Sequence, residues 1–167
     1  MLRPAAIAAV LLAAVGTRPR STPAGLVGTW QLVSRTDRDA SGRVLSATGL
    51  GEAPIGYLIY DAAGHVSAQL AARDRAGLVC DSTERSPDPN NNANIRGYSA
   101  YFGRYEINSG TGTVTHILEG TLSSADAGKR LWRRFHIVAD TLTISFEPLG
   151  PDGTPRNRTL VWYRVSP

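Results

Sequence analysis

Leu26-Val-Gly-Thr-Trp-Gln-Leu-Val-Ser34 is the stretch on which the fold turns. Gly28-Thr29-Trp30 opens the first amphipathic strand, about where a folded domain should begin. The chain beyond it carries the same signature. Short runs rich in Val, Ile, Thr, Tyr and Phe alternate with Gly, Asn, Asp and Pro punctuation, with almost no helix signal. The pattern predicts strands near 27–36, 43–47, 55–61, 64–71, 100–108, 113–121, 129–138, 141–147 and 157–165. Turns such as Asp61-Ala-Ala-Gly64, Asn108-Ser-Gly110 and Ala139-Asp140 are short enough to join antiparallel neighbours. Eight or nine such strands point to an all-β domain, and the short connections favour an antiparallel up-and-down barrel over a Greek-key sandwich. One connection breaks the rhythm. The long loop 72–99 contains Pro87-Asp-Pro-Asn-Asn-Asn92, and Asn92 suits the cap of a short helix running to about Ala100 across the barrel mouth.

The 167 residues suit one domain with a sizeable core, expected over 25–167. Residues 1–24 read as a signal peptide or a disordered N-terminal segment: Arg3 is followed by the apolar run Ala5 to Val15, too short to span a bilayer. The expected location is therefore secreted or periplasmic, or cytoplasmic if this segment is not a true signal. The net charge of +4 is no nucleic-acid signal, because three arginines and no acidic residue precede Gly25, leaving +1 for the rest. No nucleic acid and no membrane span are expected, and the chain reads as a monomer or weak dimer. Cys80 stands alone, so no internal disulfide can form.

With the strands laid out, the chain resembles the bacterial lipocalin-like domain family. The resemblance is carried in order by Leu26–Ser34, Gly56-Tyr-Leu-Ile-Tyr60, Gly64-His-Val-Ser-Ala-Gln-Leu70, Gly97-Tyr-Ser-Ala-Tyr-Phe-Gly103, Gly112-Thr-Val-Thr-His116, Arg133-Arg-Phe135 and Leu160-Val-Trp-Tyr-Arg-Val165. It implies a lipocalin-like β-barrel with an internal cavity for a small apolar molecule. It also implies structural roles for three residues. Gly28 lets the backbone pass close to the barrel floor, Trp30 fills the closed end, and Arg164 on the last strand stacks on that indole. Where family members often carry an aromatic-containing stretch, this chain has Ser123-Ser-Ala-Asp-Ala-Gly128.

Tyr98, Tyr101 and Tyr105 form the clearest aromatic cluster. Tyr98 and Tyr101 would meet on one face of the short helix, and Tyr101, Gly103 and Tyr105 share a strand face. The gap at Gly103 between two rings suggests a wall for a flat ligand. Arg133 shares the more apolar face of its strand with Phe135 and Ile137, which takes it into the barrel. An Arg there needs a partner or an anionic ligand. His116, flanked by Val114 and Leu118, is a candidate neighbour, and Glu119 a competing internal partner. Ordinary alternation turns Ser67 and Gln69 to solvent, whereas the resemblance favours the pocket, and Gln69 is counted with it.

Metal binding is not expected, since His65, His116 and His136 lie on separate strands without ligand spacing. No cofactor is expected, and nothing singles out a haem site. Catalytic motifs, including Gly-x-Ser-x-Gly and a phosphate-cradling Gly-rich loop, are absent from the sequence. The leading expectation is therefore a carrier that binds a small hydrophobic or aromatic ligand through Tyr98, Tyr101, Tyr105, His116, Arg133 and Gln69. The alternative is a cyclase or isomerase that folds a polyketide- or terpenoid-like substrate inside the barrel, steered by His116 or a Tyr.

Overall fold

The computed structural model describes residues 25–46, 49–75, 97–150 and 152–167. Eight antiparallel strands close into one up-and-down barrel in the order β1 to β8. They are β1 (Gly28–Arg38), β2 (Ile55–Tyr60), β3 (His65–Ala71), β4 (Tyr98–Asn108), β5 (Thr113–Thr121), β6 (Arg130–Val138), β7 (Thr141–Phe146) and β8 (Asn157–Ser166). Each strand pairs with its sequence neighbours, and β1 closes the circle on β8. Full closure leaves no unpaired sheet edge, which removes the usual route to strand-mediated aggregation.

One end of the barrel is packed solid. Leu26, Trp30, Tyr60, Val66, Tyr105, Val114 and Leu142 interlock there, each almost wholly buried. The Arg164 guanidinium lies over the Trp30 indole at 4.0 Å and donates to the carbonyl oxygens of Val27 (2.6 Å) and Gly25. The indole N–H in turn donates to the Leu26 carbonyl at 2.9 Å. Gly28 has φ +137°, and a Cβ there would stand 2.7 Å from both Arg164 Nη1 and the Ser166 carbonyl, so the barrel floor admits no side chain at this position.

Register shifts within the sheet change which residues face inward, and two of them bear on the interior. On β1, Trp30 and Leu32 point into the barrel, but the register with β8 slips between Leu32 and Ser34. Val33 and Ser34 both face outward, and the inward phase passes to Arg35 and Asp37. On β5 the register with β4 slips beside Phe102/Gly103, so Gly103 faces Leu118 while Phe102 faces Gly120. A Cβ on Gly103 would lie 2.0 Å from the Ile117 carbonyl oxygen. The gap expected there for a flat ligand is thus filled by the β5 backbone.

Three other expectations are corrected. The segment 43–47 is not a barrel strand: its described part makes a single bridge, Arg38 to Val44, so the barrel has eight strands and not nine. The helix predicted from Asn92 to Ala100 fails at its C-terminal end, because Tyr98 to Ala100 already belong to β4 and pair with Ala71, Leu70 and Gln69 of β3. The rest of that helix, Cys80 and residues 1–24 lie outside the described residues. Glu119 is not an internal partner, since it projects outward and pairs with Arg104 at 2.7 Å.

Candidate functional site

Above the packed end the barrel is hollow. A cavity of about 460 Å³ opens toward the other end. Leu58, Ala68, Leu70, Leu118, Leu131, Ile144, Leu160 and Trp162 give it an apolar wall, and Tyr101, His116 and Arg133 supply polar groups. Leu50, Tyr98, Leu122 and Lys129 lie among the remaining lining residues. The segment after β5 forms a short 3₁₀ turn (Ser124–Asp126) that contributes Asp126 to the rim.

His116 sits where the packed and hollow halves meet, 1% exposed. The Tyr60 hydroxyl lies 2.7 Å from its Nε2, and the Tyr101 hydroxyl 2.8 Å from its Nδ1. Burial, reinforced by the positive charge of Arg133, pushes the imidazole pKa down to about 3, so the ring is neutral at physiological pH. A neutral imidazole has one N–H and one lone pair, so one tyrosine donates to it and the other accepts from it. Tyr60 is enclosed in the core, edge-on to Tyr105 with ring centroids 4.9 Å apart. If Tyr60 accepted, its proton would be stranded there, a costly arrangement. Tyr60 therefore donates to Nε2, Nδ1–H donates to Tyr101, and the Tyr101 proton is left for the cavity. Burial raises the pKa of both hydroxyls, so both remain protonated.

Arg133 enters the barrel beside Tyr101. Its register partner on β5 is Val114, one inward position from His116. The guanidinium stacks on the Phe146 ring at 3.6 Å, donates to the Trp132 carbonyl at 3.1 Å and faces the Tyr101 hydroxyl. Burial lowers its pKa, and the neighbouring tyrosines oppose that shift. Arg158 approaches the same ring at 5.7 Å.

Sequence reasoning missed the polar group near the mouth. Arg158 holds Asp37 through Nε and Nη2, both at 2.7 Å, and Arg35 adds a third contact at 3.1 Å. Asp37 is 4% exposed. Its burial pushes the carboxyl pKa up, but the hydrogen bonds and charges of Arg158 and Arg35 outweigh that and hold it below the usual range. Arg158 was legible, since it alternates with Leu160, Trp162 and Arg164. Arg35 and Asp37 were not, because only the bulge at Val33 turns them inward. Tyr60 was also passed over, although it shares a strand face with buried Leu58.

The other predicted pocket residues lie elsewhere. Gln69 is on the outer face of β3, where its Oε1 accepts from the Tyr98 hydroxyl at 3.1 Å. Tyr98 touches the rim of the cavity but does not share a face with Tyr101. Tyr105 is a core residue whose hydroxyl donates to the Asp61 carbonyl at 2.7 Å. The histidines diverge: His65 pairs with Asp61 on the surface, His136 is exposed, and His116 is inside. Among the described residues no three His, Cys, Asp or Glu side chains converge as a metal site would need, and no helix is long and apolar enough to cross a membrane.

A barrel packed at one end and hollow at the other, with a few polar groups at the base of the hollow, defines an antiparallel β-barrel of the cavity-bearing kind. Residues 27–165 match the model of the lipocalin-like domain, and the chain belongs to that family. No curated protein matches it. Among solved structures, the lipoprotein YedD from Klebsiella pneumoniae subsp. pneumoniae is similar at 11% identity, over 90% of this chain and 80% of that one, with a TM-score of 0.42. A likeness that distant carries no argument about location or function.

Proposed function

We propose that this protein binds a small hydrophobic or aromatic molecule inside the barrel. The observation that carries the reading is the cavity of about 460 Å³, apolar over most of its wall and polar at a few places. That is the size and composition by which small-molecule sites are recognised, roughly 300–1,000 Å³ with few, well-placed polar groups. Binding is favoured over catalysis because both ring nitrogens of His116 are engaged by tyrosine hydroxyls. The group that a cyclase or isomerase would use to move protons is already committed to the fold. Export to the periplasm or the medium is the location we favour, on the strength of Arg3 and the apolar run beyond it.

Native mass spectrometry of the protein purified from the organism that encodes it, with saturable uptake of N-phenyl-1-naphthylamine as a second readout, tests the proposal. Ala68 lies on the cavity wall between Leu58 and Tyr101, so Ala68→Phe fills the space from an inward position. Wild type is expected to take up one equivalent of the naphthylamine and the variant at least tenfold less, with both folded by circular dichroism. A wild-type protein that carries no adduct and takes up no probe would sink the reading.

A further inference from the structure

Arg133 is a cation placed in an apolar barrel. Among the described residues its polar contacts are neutral: the Tyr101 hydroxyl, the Trp132 carbonyl and the face of the Phe146 ring. The carboxylates that lie nearby are engaged by other cations. Asp37 is held by Arg158 and Arg35, Asp126 at the rim by Lys129 at 2.5 Å, and Glu119 lies outside with Arg104. A guanidinium partly withdrawn from water without a counter-ion is unfavourable, and stacking on one ring recovers a small part of that cost.

Two unspent hydrogen-bond donors lie in the same cavity wall. The Tyr101 hydroxyl accepts from His116 Nδ1–H, leaving its own proton free. Trp162, 2% exposed, lines the cavity as well, and its buried indole N–H has no acceptor among the described residues. Buried donors normally find a partner, and an orphan indole N–H in a cavity wall calls for an absent acceptor. A cation and two donors on the wall of one apolar cavity suit one kind of ligand group.

Resting on the binding role proposed above, we infer that the ligand is an organic anion, an oxyanion such as a carboxylate on an apolar skeleton, with its charged oxygen held by Arg133 and Tyr101. The apolar part fills the space between Leu58, Leu118, Leu131 and Leu160. Arg133 supplies a directional pair of N–H groups and the countercharge, Tyr101 a single O–H, and Trp162 a further N–H.

The test compares 2-naphthoate with 2-naphthamide, probes of equal shape that differ in charge, by isothermal titration of the full chain at pH 7.5. Wild type is expected to bind the naphthoate roughly 10- to 100-fold more tightly than the amide, the range of a charge-assisted hydrogen bond. Arg133→Met should bring the two probes to parity, and Tyr101→Phe should weaken naphthoate roughly five- to tenfold and the amide, whose neutral carbonyl accepts a weaker hydrogen bond, by less. Arg133→Met should also raise the thermal midpoint of the ligand-free protein, since it removes an uncompensated charge and keeps the packing volume. If Arg133→Met does not fold, Arg133→Gln carries the same comparison. Equal binding of both probes by wild type overturns the anion inference alone. A preference that survives both Arg133 variants overturns it too, and binding of neither probe overturns the cavity role along with it.

Discussion

Replacing His116 with glutamine should flatten the acid sensitivity of this protein by an amount that the structure sets. The imidazole is 1% exposed, held between Tyr60 and Tyr101, with Arg133 the charged group that faces it. Its pKa in the folded protein is about 3, against about 6.5 for an unperturbed histidine. Between those values the unfolded chain binds a proton that the folded chain refuses. Stability therefore rises with pH across this window and is lost as pH falls. Only the unfolded chain titrates appreciably between pH 7 and pH 5, so His116 alone should remove about 2 kcal/mol over that interval, with a limiting slope of about 1.4 kcal/mol per pH unit. The figure depends little on how far below pH 4 the folded value lies. Tyr60 and Tyr101 stay protonated and Arg133 stays cationic throughout, so none of them adds to the slope. His116→Gln keeps one donor and one acceptor for the two hydroxyls and takes up no proton. Urea unfolding of both proteins at pH 7, 6 and 5 is the assay. Carboxylates such as Asp37 are common to both, and the difference between the curves isolates His116. Parallel losses in wild type and variant would refute the buried, neutral imidazole and the tautomer argument built on it.

Arg164→Ala should cost about 2–4 kcal/mol, combining one cation–π contact and two hydrogen bonds to carbonyls, while naphthylamine uptake stays within a factor of two of wild type. Loss of uptake with an unchanged unfolding midpoint would show that this end of the barrel serves the ligand rather than the fold. Asp37→Asn removes the negative charge beneath Arg158 and Arg35 and should lower stability by roughly 3 kcal/mol, seen as a lower urea midpoint with an unchanged denaturant slope. An unaltered midpoint would mean that the three side chains are no buried ion cluster.

Much of the architecture was legible before any coordinate. Strand alternation has a period of two, so the phase of one buried residue assigns the rest of an undisturbed strand. On that basis Arg133, Phe135 and Ile137 were placed inward and are found inward. Short turns between every pair but one left an up-and-down meander as the favoured order, and the barrel follows it. Local signals were poorer guides where pairing overrode them. A polar, Asn-rich approach reads as a helix cap, yet Tyr98 to Ala100 extend because β3 offers them a ladder of partners. The stretch 43–47 is strand-like in composition, but only Val44 is bridged to a neighbour among its described residues.

The sequence by itself determined the class of fold and the entry of Arg133 into the barrel, because composition and period act locally along one strand, while the closed end built on Gly28, Trp30 and Arg164 was implied by the family resemblance. The tertiary structure alone decided the site. A one-residue slip on β1 turned Arg35 and Asp37 from the expected outer phase to the inside, and register between separate strands brought Tyr60, Tyr101 and His116 within hydrogen-bond distance. Neither is written in any single segment, since bulges and register are set by how strands fit one another when the barrel closes.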